Sequence, residues 1–276
     1  MIEPKPYITR NDYFQMDESL RPTCGHCEKH GDFEIKVNED LPLKMLMATC
    51  PKCTDEYKEW KAEQEEVEKL EFEKKRKQYE FEKKLSNYGV TPRHFDKSFD
   101  NYQVKNKEQD LALKTCKYVV EKVTEDVCKN IIMVGSVGTG KTHLAAAMCR
   151  YLAEQKECYK VKMATVTDII RYYRSSYSND NDLTEDEAIS ILTNKHLLII
   201  DELGTSKGDD KELNILFEII NNRYEYKRPT VIISNLNIDA VKELLGQRII
   251  DRLKEDGCRV LGMAWESHRE TNKDEF

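Results

Sequence analysis

The stretch "GSVGTGKTHL", Gly135–Leu144, decides how this chain folds. Glycines at Gly135, Gly138 and Gly140 let the backbone turn tightly and aim its N–H groups inward, and Lys141 and Thr142 follow where a helix begins. Such a loop, built from Gly135, Ser136, Val137, Gly138, Thr139 and Gly140 and closed by Lys141 and Thr142, is a cradle for the phosphates of a nucleotide. The reading requires a buried strand before the loop and an amphipathic helix after it. "NIIMV" (Asn130–Val134) and "THLAAAMCRYLAEQ" (Thr142–Gln155) supply both.

Outward from the loop, apolar strand candidates recur at Ile131–Val134, Val161–Ala164, Leu197–Ile200, Val231–Ser234 and Val260–Met263. Helical stretches lie between them, including "TEDEAISIL", where Thr184 and Glu187 form a capping-box pattern. Continuous apolar strands alternating with helices predict an α/β fold with a parallel five-stranded sheet covered on both faces. The third strand runs into "HLLIIDELG" (His196–Gly204) and brings Asp201 and Glu202 to the carboxyl edge of that sheet. There Asp201 is expected to hold magnesium through water and Thr142, and Glu202 to orient and activate the attacking water for triphosphate hydrolysis. "TVIISNLN" (Thr230–Asn237) ends a further strand beside them. Asn235 is expected to position water or the terminal phosphate, with helix capping by Asn235 or Asn237 as the alternative.

Upstream, "NYGVTPRHFDKSFDNY" (Asn87–Tyr102) breaks the pattern with Gly89 and Pro92 and marks a domain boundary. Before it, Asp55–Ser86 contains no Gly or Pro, is dominated by Glu and Lys, and scatters Tyr57, Trp60, Val67, Leu70, Tyr79 and Leu85 without a strict heptad. It reads as a solvated spacer helix rather than an intermolecular coiled coil. Further upstream, "CGHC" and "CPKC" place Cys24, Cys27, Cys50 and Cys53 in two C-x-x-C pairs, the spacing of a small zinc-ribbon-like module, with His26 or His30 able to replace one cysteine. The resulting plan is a zinc module at 1–56, a charged helix at 57–90 and a nucleotide-binding body at 91–276.

Composition limits the function classes. A net charge of -7 argues against a surface that grips nucleic acid everywhere, though it allows a local basic groove. No apolar run approaches membrane-spanning length, and "MIEPKPYITR" lacks a leader pattern, so the expectation is a cytoplasmic protein without a membrane partner. A reducing compartment in turn favours metal binding over disulfides for the nine cysteines. "DIIRYYRSSY" (Asp168–Tyr177) offers Arg171 and Arg174 for phosphates and Tyr172, Tyr173 and Tyr177 for base stacking. The competing reading is a helix whose tyrosines pack on the sheet.

"GSVGTGKTHL", "LLIIDELG", "RPTVIISNLN" and "LLGQRIIDRL", in this order, resemble the AAA+ ATPases of the DnaC/DnaI helicase-loader and IstB group. The resemblance is strongest from Asn87 onward and implies ATP as the nucleotide. Gly135, Gly140, Lys141 and Thr142 match Walker A, Asp201 and Glu202 match Walker B, and Asn235 matches sensor 1. It implies self-association through the ATPase domain, with ATP between subunits and an arginine, Arg248 or Arg252, reaching a neighbour's phosphate. It implies a DNA-contacting insertion near Arg171, Tyr172, Tyr173 and Arg174, and an N-terminal region that binds a replicative DnaB-type helicase. Only 41 residues follow Asn235, too few for a full helical lid, and Arg269 marks where a second sensor would be sought. The leading expectation is an ATP-, magnesium- and zinc-dependent loader of helicase onto single-stranded DNA. The alternatives are an IstB-like transposition helper on duplex DNA, or a zinc-containing adaptor that binds ATP without significant turnover.

Overall fold

The computed structural model describes residues 1–38, 40, 44–176, 184–205 and 210–266. Chain contacts divide it into two units, Met1–Gln78 and Tyr79–Phe276.

The first unit opens with α1 (Arg10–Gln15), capped by Thr9. Two small antiparallel pairs follow, β1 (Cys24–Cys27) with β2 (Gly31–Glu34), and β3 (Lys36–Asn38) with β4 (Met45–Met47). Their core is small, with Tyr13, Ile35 and Ala48 buried and Ile8, Phe14, Phe33, Val37 and Leu46 packed around them. So little apolar burial leaves a module of this size in need of a cross-link or metal. Helix α2 (Pro51–Tyr88) starts at Pro51, whose missing N–H costs nothing in a first turn. "CPKC" is therefore the entrance to a helix rather than a second strand turn. Along α2, Val67, Leu70 and Phe72 are exposed and Leu85 and Tyr88 are the buried residues, as a solvated charged helix requires.

In the second unit α2 ends at Gly89, whose φ of 93° suits a residue after a helix terminus. A Cβ there would sit 1.9 Å from the Met163 carbonyl oxygen, so only glycine lets the chain pass this close to the sheet. A 3-10 turn (Pro92–His94) leads to α3 (Lys107–Thr124), β5 (Ile131–Gly135), α4 (Lys141–Glu154), β6 (Val161–Thr165), α5 (Val166–Ser175) and α6 (Glu185–Thr193). Then come β7 (Leu197–Leu203), α7 (Asp210–Glu225), β8 (Thr230–Ser234), α8 (Ile238–Glu255) and β9 (Arg259–Met263). The five strands β5 to β9 form one parallel sheet, as the sequence pattern predicts, and the structure orders them β6-β7-β8-β5-β9.

Alternation along these strands divides the core. Ile131, Met133, Leu197, Ile199, Val231 and Ile233 bury on one face with residues of α3, α4 and the lead-in residues Val90 and Phe99. Ile132, Val134, Leu198, Ile200 and Ile232 bury on the other with residues of α5 to α8. Both faces being covered is why the strands read as unbroken apolar runs. The capping box at Thr184 and Glu187 forms as expected. Helix α8 departs from a regular helix at Gly246 (φ 74°, ψ 153°), so Arg248 and Arg252 lie on its second half.

Candidate functional site

The carboxyl edge of the sheet gathers the nucleotide residues. Gly135 leaves β5 at φ 145°, and a Cβ there would fall 2.1 Å from the Met263 carbonyl oxygen. Glycine is thus required where the loop turns off the sheet beside β9. The Lys141 ammonium is buried and donates to the carbonyls of Gly135 and Ser136, both at 2.7 Å. Burial lowers its pKa, with Asp201 opposing that shift. Trp265, just past β9, steadies the loop from outside by donating Nε1–H to the Thr139 carbonyl at 3.0 Å. Its contribution had no signature in the sequence.

The acidic half of the edge depends on a bulge. The β7–β8 register shifts between Ile200 and Leu203, which takes Asp201 and Glu202 out of the ladder with β8 while Asp201 stays paired with Thr165 of β6. Asp201 is buried, accepts the Thr142 hydroxyl at 3.3 Å and the Glu202 amide at 2.7 Å, and has its carboxyl pKa raised by burial. Glu202 is exposed in the left-handed region at φ 59°, and its carbonyl accepts the amide and hydroxyl of Thr205. A left-handed non-glycine residue is strained, as functional positions commonly are. A cavity of about 290 Å³ is lined by Thr142, Asp201, Glu202, Thr165, Asp168 and His94. Thr142 and Asp201 present the hard oxygen pair that magnesium takes, at a spacing close to the cis edge of an octahedron with roughly 2.1 Å bonds. The loop donors and this oxygen pair fit a magnesium-bound triphosphate.

Asn237, not Asn235, caps α8, its side chain accepting the Ala240 amide at 2.8 Å. Asn235 is exposed one residue beyond Ser234, which pairs with Val134 of β5 on one side and Leu203 of β7 on the other. The Ser234 hydroxyl donates to the Leu203 carbonyl at 2.6 Å and ties β8 to the strand bearing the carboxylates. The two arginines differ. Arg252 donates to Asn221 at 2.7 Å, lies 3.9 Å from Glu225 and stacks over Tyr224, whereas Arg248 is exposed.

Of the five residues offered for single-strand contact, the four that are described also separate. Tyr173 is buried against the core face of α5 and its hydroxyl donates to Glu185, so its ring offers no stacking surface, and Tyr172 packs partly against the same core. Arg171 and Arg174 are exposed, paired with Asp168 and Glu212. The physical reason is amphipathicity: Ile169, Ile170 and Tyr173 share the buried stripe of α5. Tyr177 and Arg269 lie outside the described residues.

In the first unit Cys27, His30, Cys50 and Cys53 converge, their ligand atoms all within 4.8 Å of one another. His30 Nδ1 lies 3.1 Å from Cys53 Sγ, 3.6 Å from Cys50 Sγ and 3.8 Å from Cys27 Sγ, and the Cys27–Cys53 sulfur separation is 3.6 Å. A tetrahedral ion with bonds of about 2.3 Å to sulfur and 2.0 Å to nitrogen needs edges of roughly 3.5–3.8 Å, so the group fits zinc. Cys24 stands outside it and is exposed. Cys24 and Cys27 are the two ends of β1, and side chains three apart on a strand point to opposite faces. His30 takes the fourth corner, and its Nε2 meets Glu56 at 3.1 Å, the outer partner that fixes a metal-binding imidazole. Backbone amides of His30 and Lys29 hold the Cys27 thiol down to about 6. Glu56 follows Cys53 by one helical turn, a spacing that makes it legible in retrospect.

The sequence profile of the IstB-like ATP-binding proteins matches residues 40–275. The chain belongs to this family, the IstB/DnaC-like branch of AAA+ proteins. It is 34% identical over 218 residues to the YdaV protein of Escherichia coli K12, covering 79% of this chain and 86% of that one. It is 29% identical over 239 residues to the replicative helicase loader DnaC of the same organism, covering 87% and 95%. A crystal structure of the DnaC helicase loader superposes with a TM-score of 0.53 at 24% identity, over 62% of this chain and 99% of that one. The DnaI crystal structure gives 0.51 at 18% identity, over 63% and 94%, likewise a likeness of fold. The family match contains the whole nucleotide edge together with Cys50 and Cys53, while Cys27 and His30 precede it. This IstB-like chain is therefore an ATP-binding AAA+ protein with a cysteine–histidine module ahead of its body.

Proposed function

We propose that this chain is an ATPase that loads a replicative hexameric helicase onto single-stranded DNA in the cytoplasm. What supports the reading is likeness to DnaC over 95% of that loader's length, joined to a sheet edge where Lys141 meets the loop carbonyls and Thr142 meets Asp201. In this scheme residues 1–56 dock the helicase, 57–90 link, and 91–276 form the ATPase body.

The loop amides and Lys141 bind the phosphates, Lys141 exchanging its two loop carbonyls for phosphate oxygens. Thr142, with Asp201 through water, would hold magnesium, which when bound would neutralise phosphate charge. Glu202 takes the proton of the attacking water and Asn235 orients it or the terminal phosphate. Arg248, exposed on α8, serves a neighbouring subunit's ATP, while Arg252 braces α7. Arg171 and Arg174 contact the phosphates of single-stranded DNA without stacking by Tyr173. Cys27, His30, Cys50 and Cys53 hold a structural zinc. Among the described residues no helix is long and apolar enough to cross a membrane.

The test is ATP hydrolysis by the full chain with no DNA, single-stranded DNA or duplex DNA, with Lys141→Ala as control. Single strands are expected to stimulate turnover that Lys141→Ala abolishes. Because the matching family is IstB-like, a transposition helper remains the second reading, and stimulation by duplex alone would favour it. Absence of Lys141-dependent turnover under every condition would instead support an ATP-binding adaptor.

A further inference from the structure

A basic residue stands at the amino end of every strand of the five-stranded sheet. In the spatial order β6-β7-β8-β5-β9 these are Lys160, Lys195, Arg228 after Lys227, Lys129 and Arg259. Strands lie about 4.8 Å apart, so the row runs roughly 19 Å along the edge opposite the nucleotide loop. On a chain of net charge -7, so continuous a basic row calls for a reason.

The packing of the fold does not supply one. Among the described residues the row makes a single ion pair, Arg228 with the exposed Asp126 at 3.6 Å. Asp256, whose carboxylate is near Lys227 and Lys129, closes no ion pair with either. Helices end at this edge, and a cation in a last turn can steady their carbonyls. Yet Lys129, Lys160 and Arg259 lie beyond the last turns of α3, α4 and α8, and Lys129 reaches one such carbonyl, that of Asp256, only at 3.4 Å. The end of α6 is already served by the fully buried Arg223, which donates to the carbonyls of Leu192, Thr193 and Lys195 at 2.9 Å each. The Lys195 ammonium is left among like charges. Burial, and then Lys162 and Lys160, lower its pKa.

The row also opens onto a space. A cavity of about 340 Å³ lies at its β9 end, lined by Tyr118, Val119, Lys129, Gly257, Cys258 and Arg259. The charged side chains in that lining are two cations, and Arg259 is held over the Tyr118 ring at 5.2 Å. We propose that this amino edge is a track for the sugar-phosphate backbone of single-stranded DNA, with one phosphate seated between Lys129 and Arg259. The proposal deepens the DNA-binding part of the reading above and rests on it. Arg171 and Arg174 must each leave a carboxylate to meet a phosphate, whereas Lys129, Lys160, Lys195 and Arg259 release only solution counterions. A row of charges at strand spacing suits a repeating phosphate and reads no base.

The experiment measures binding of a fluorescent oligothymidylate to the full chain, with magnesium and ATP, across a range of salt concentrations. One variant neutralises the row, with Lys129→Gln, Lys160→Gln, Lys195→Gln and Arg259→Gln together. A control removes the same charge from carboxylate-paired lysines, with Lys58→Gln, Lys61→Gln, Lys114→Gln and Lys242→Gln. Each lost phosphate contact takes about 0.7 from the slope of log affinity against log salt. The row variant is therefore expected to flatten the slope by roughly 2–3 and to bind at least about tenfold more weakly at low salt, while the control keeps the wild-type slope. In the wild type, bound oligonucleotide should also shield Lys129, Lys160 and Lys195 from amine acetylation, a readout independent of how the variant folds. An unchanged slope in the row variant, an equal drop in the control, or undiminished acetylation would overturn the proposal. Loss of helicase binding with DNA binding intact would overturn it too, by making the row a protein contact. Binding that falls with Arg171→Ala and Arg174→Ala but not with the row variant would leave the DNA reading standing without this track. If the wild type bound no single strands, that reading itself would fall, and the track with it.

Discussion

Lys141 and Asp201 show what burying charged groups at the sheet edge costs at the scale of single residues. Burial raises the native-state carboxyl pKa of Asp201 above its unfolded value, so ionising it as pH rises toward neutrality lowers stability. Asp201→Asn removes that burden. Its nucleotide-free melting temperature is expected to rise by about 2–4 °C, on the order of 1 kcal/mol, while ATP hydrolysis falls by at least about a hundredfold. Calorimetry and a turnover assay on the same preparation check both signs, and a lower melting temperature would show that Asp201 holds the edge together. Gly135→Ala should act oppositely, losing about 2–3 kcal/mol of stability, because its Cβ meets a backbone oxygen that cannot move aside. The loop residues were legible in sequence because each performs its chemistry within ten residues of the others. Trp265 was not, since it reaches Thr139 of the loop from 126 positions away. Only the folded chain brings such residues together.

At the scale of elements, the two arginines of α8 separate into predictions. Arg252→Ala removes a bond to Asn221 and stacking on Tyr224, for an expected cost of about 1 kcal/mol seen as a lower melting temperature. Arg248→Ala should leave that temperature unchanged and reduce only turnover that depends on protein concentration. Equal effects of the two changes would sink this division of labour. Strand β1 makes a third prediction. Cys24→Ser is expected to retain one zinc per chain by elemental analysis, whereas His30→Ala should lose most of it, and the reverse pattern would restore a four-cysteine site. Spacing alone gives two C-x-x-C pairs and no way to choose among Cys24, His26 and His30. The choice comes from β1 being extended, which turns Cys24 away, and from Glu56 on α2, which braces His30. Likewise the basic, aromatic stretch of α5 suggests a stacking surface until its helical period carries Tyr173 into the core.

Across the whole molecule, the alternation of apolar strands and helices was enough to predict the five parallel strands, because a sheet covered on both faces must be written in unbroken apolar runs. The small N-terminal unit followed no such rule, since its buried residues are few and its organisation rests on four ligand atoms. The family match covers the ATPase body well, and likeness to DnaC extends over most of the chain. On the proposed loader reading, the net charge of -7 would leave DNA contact to local cations such as Arg171 and Arg174 rather than to the surface as a whole. The most direct test of the loader reading is size-exclusion chromatography of the full chain with the replicative hexameric helicase, with magnesium and ATP present. The account predicts a stable complex that places helicase on closed single-stranded circles, and loss of that loading in Lys141→Ala. Failure to bind the helicase, together with ATP turnover driven by duplex DNA, would contradict it.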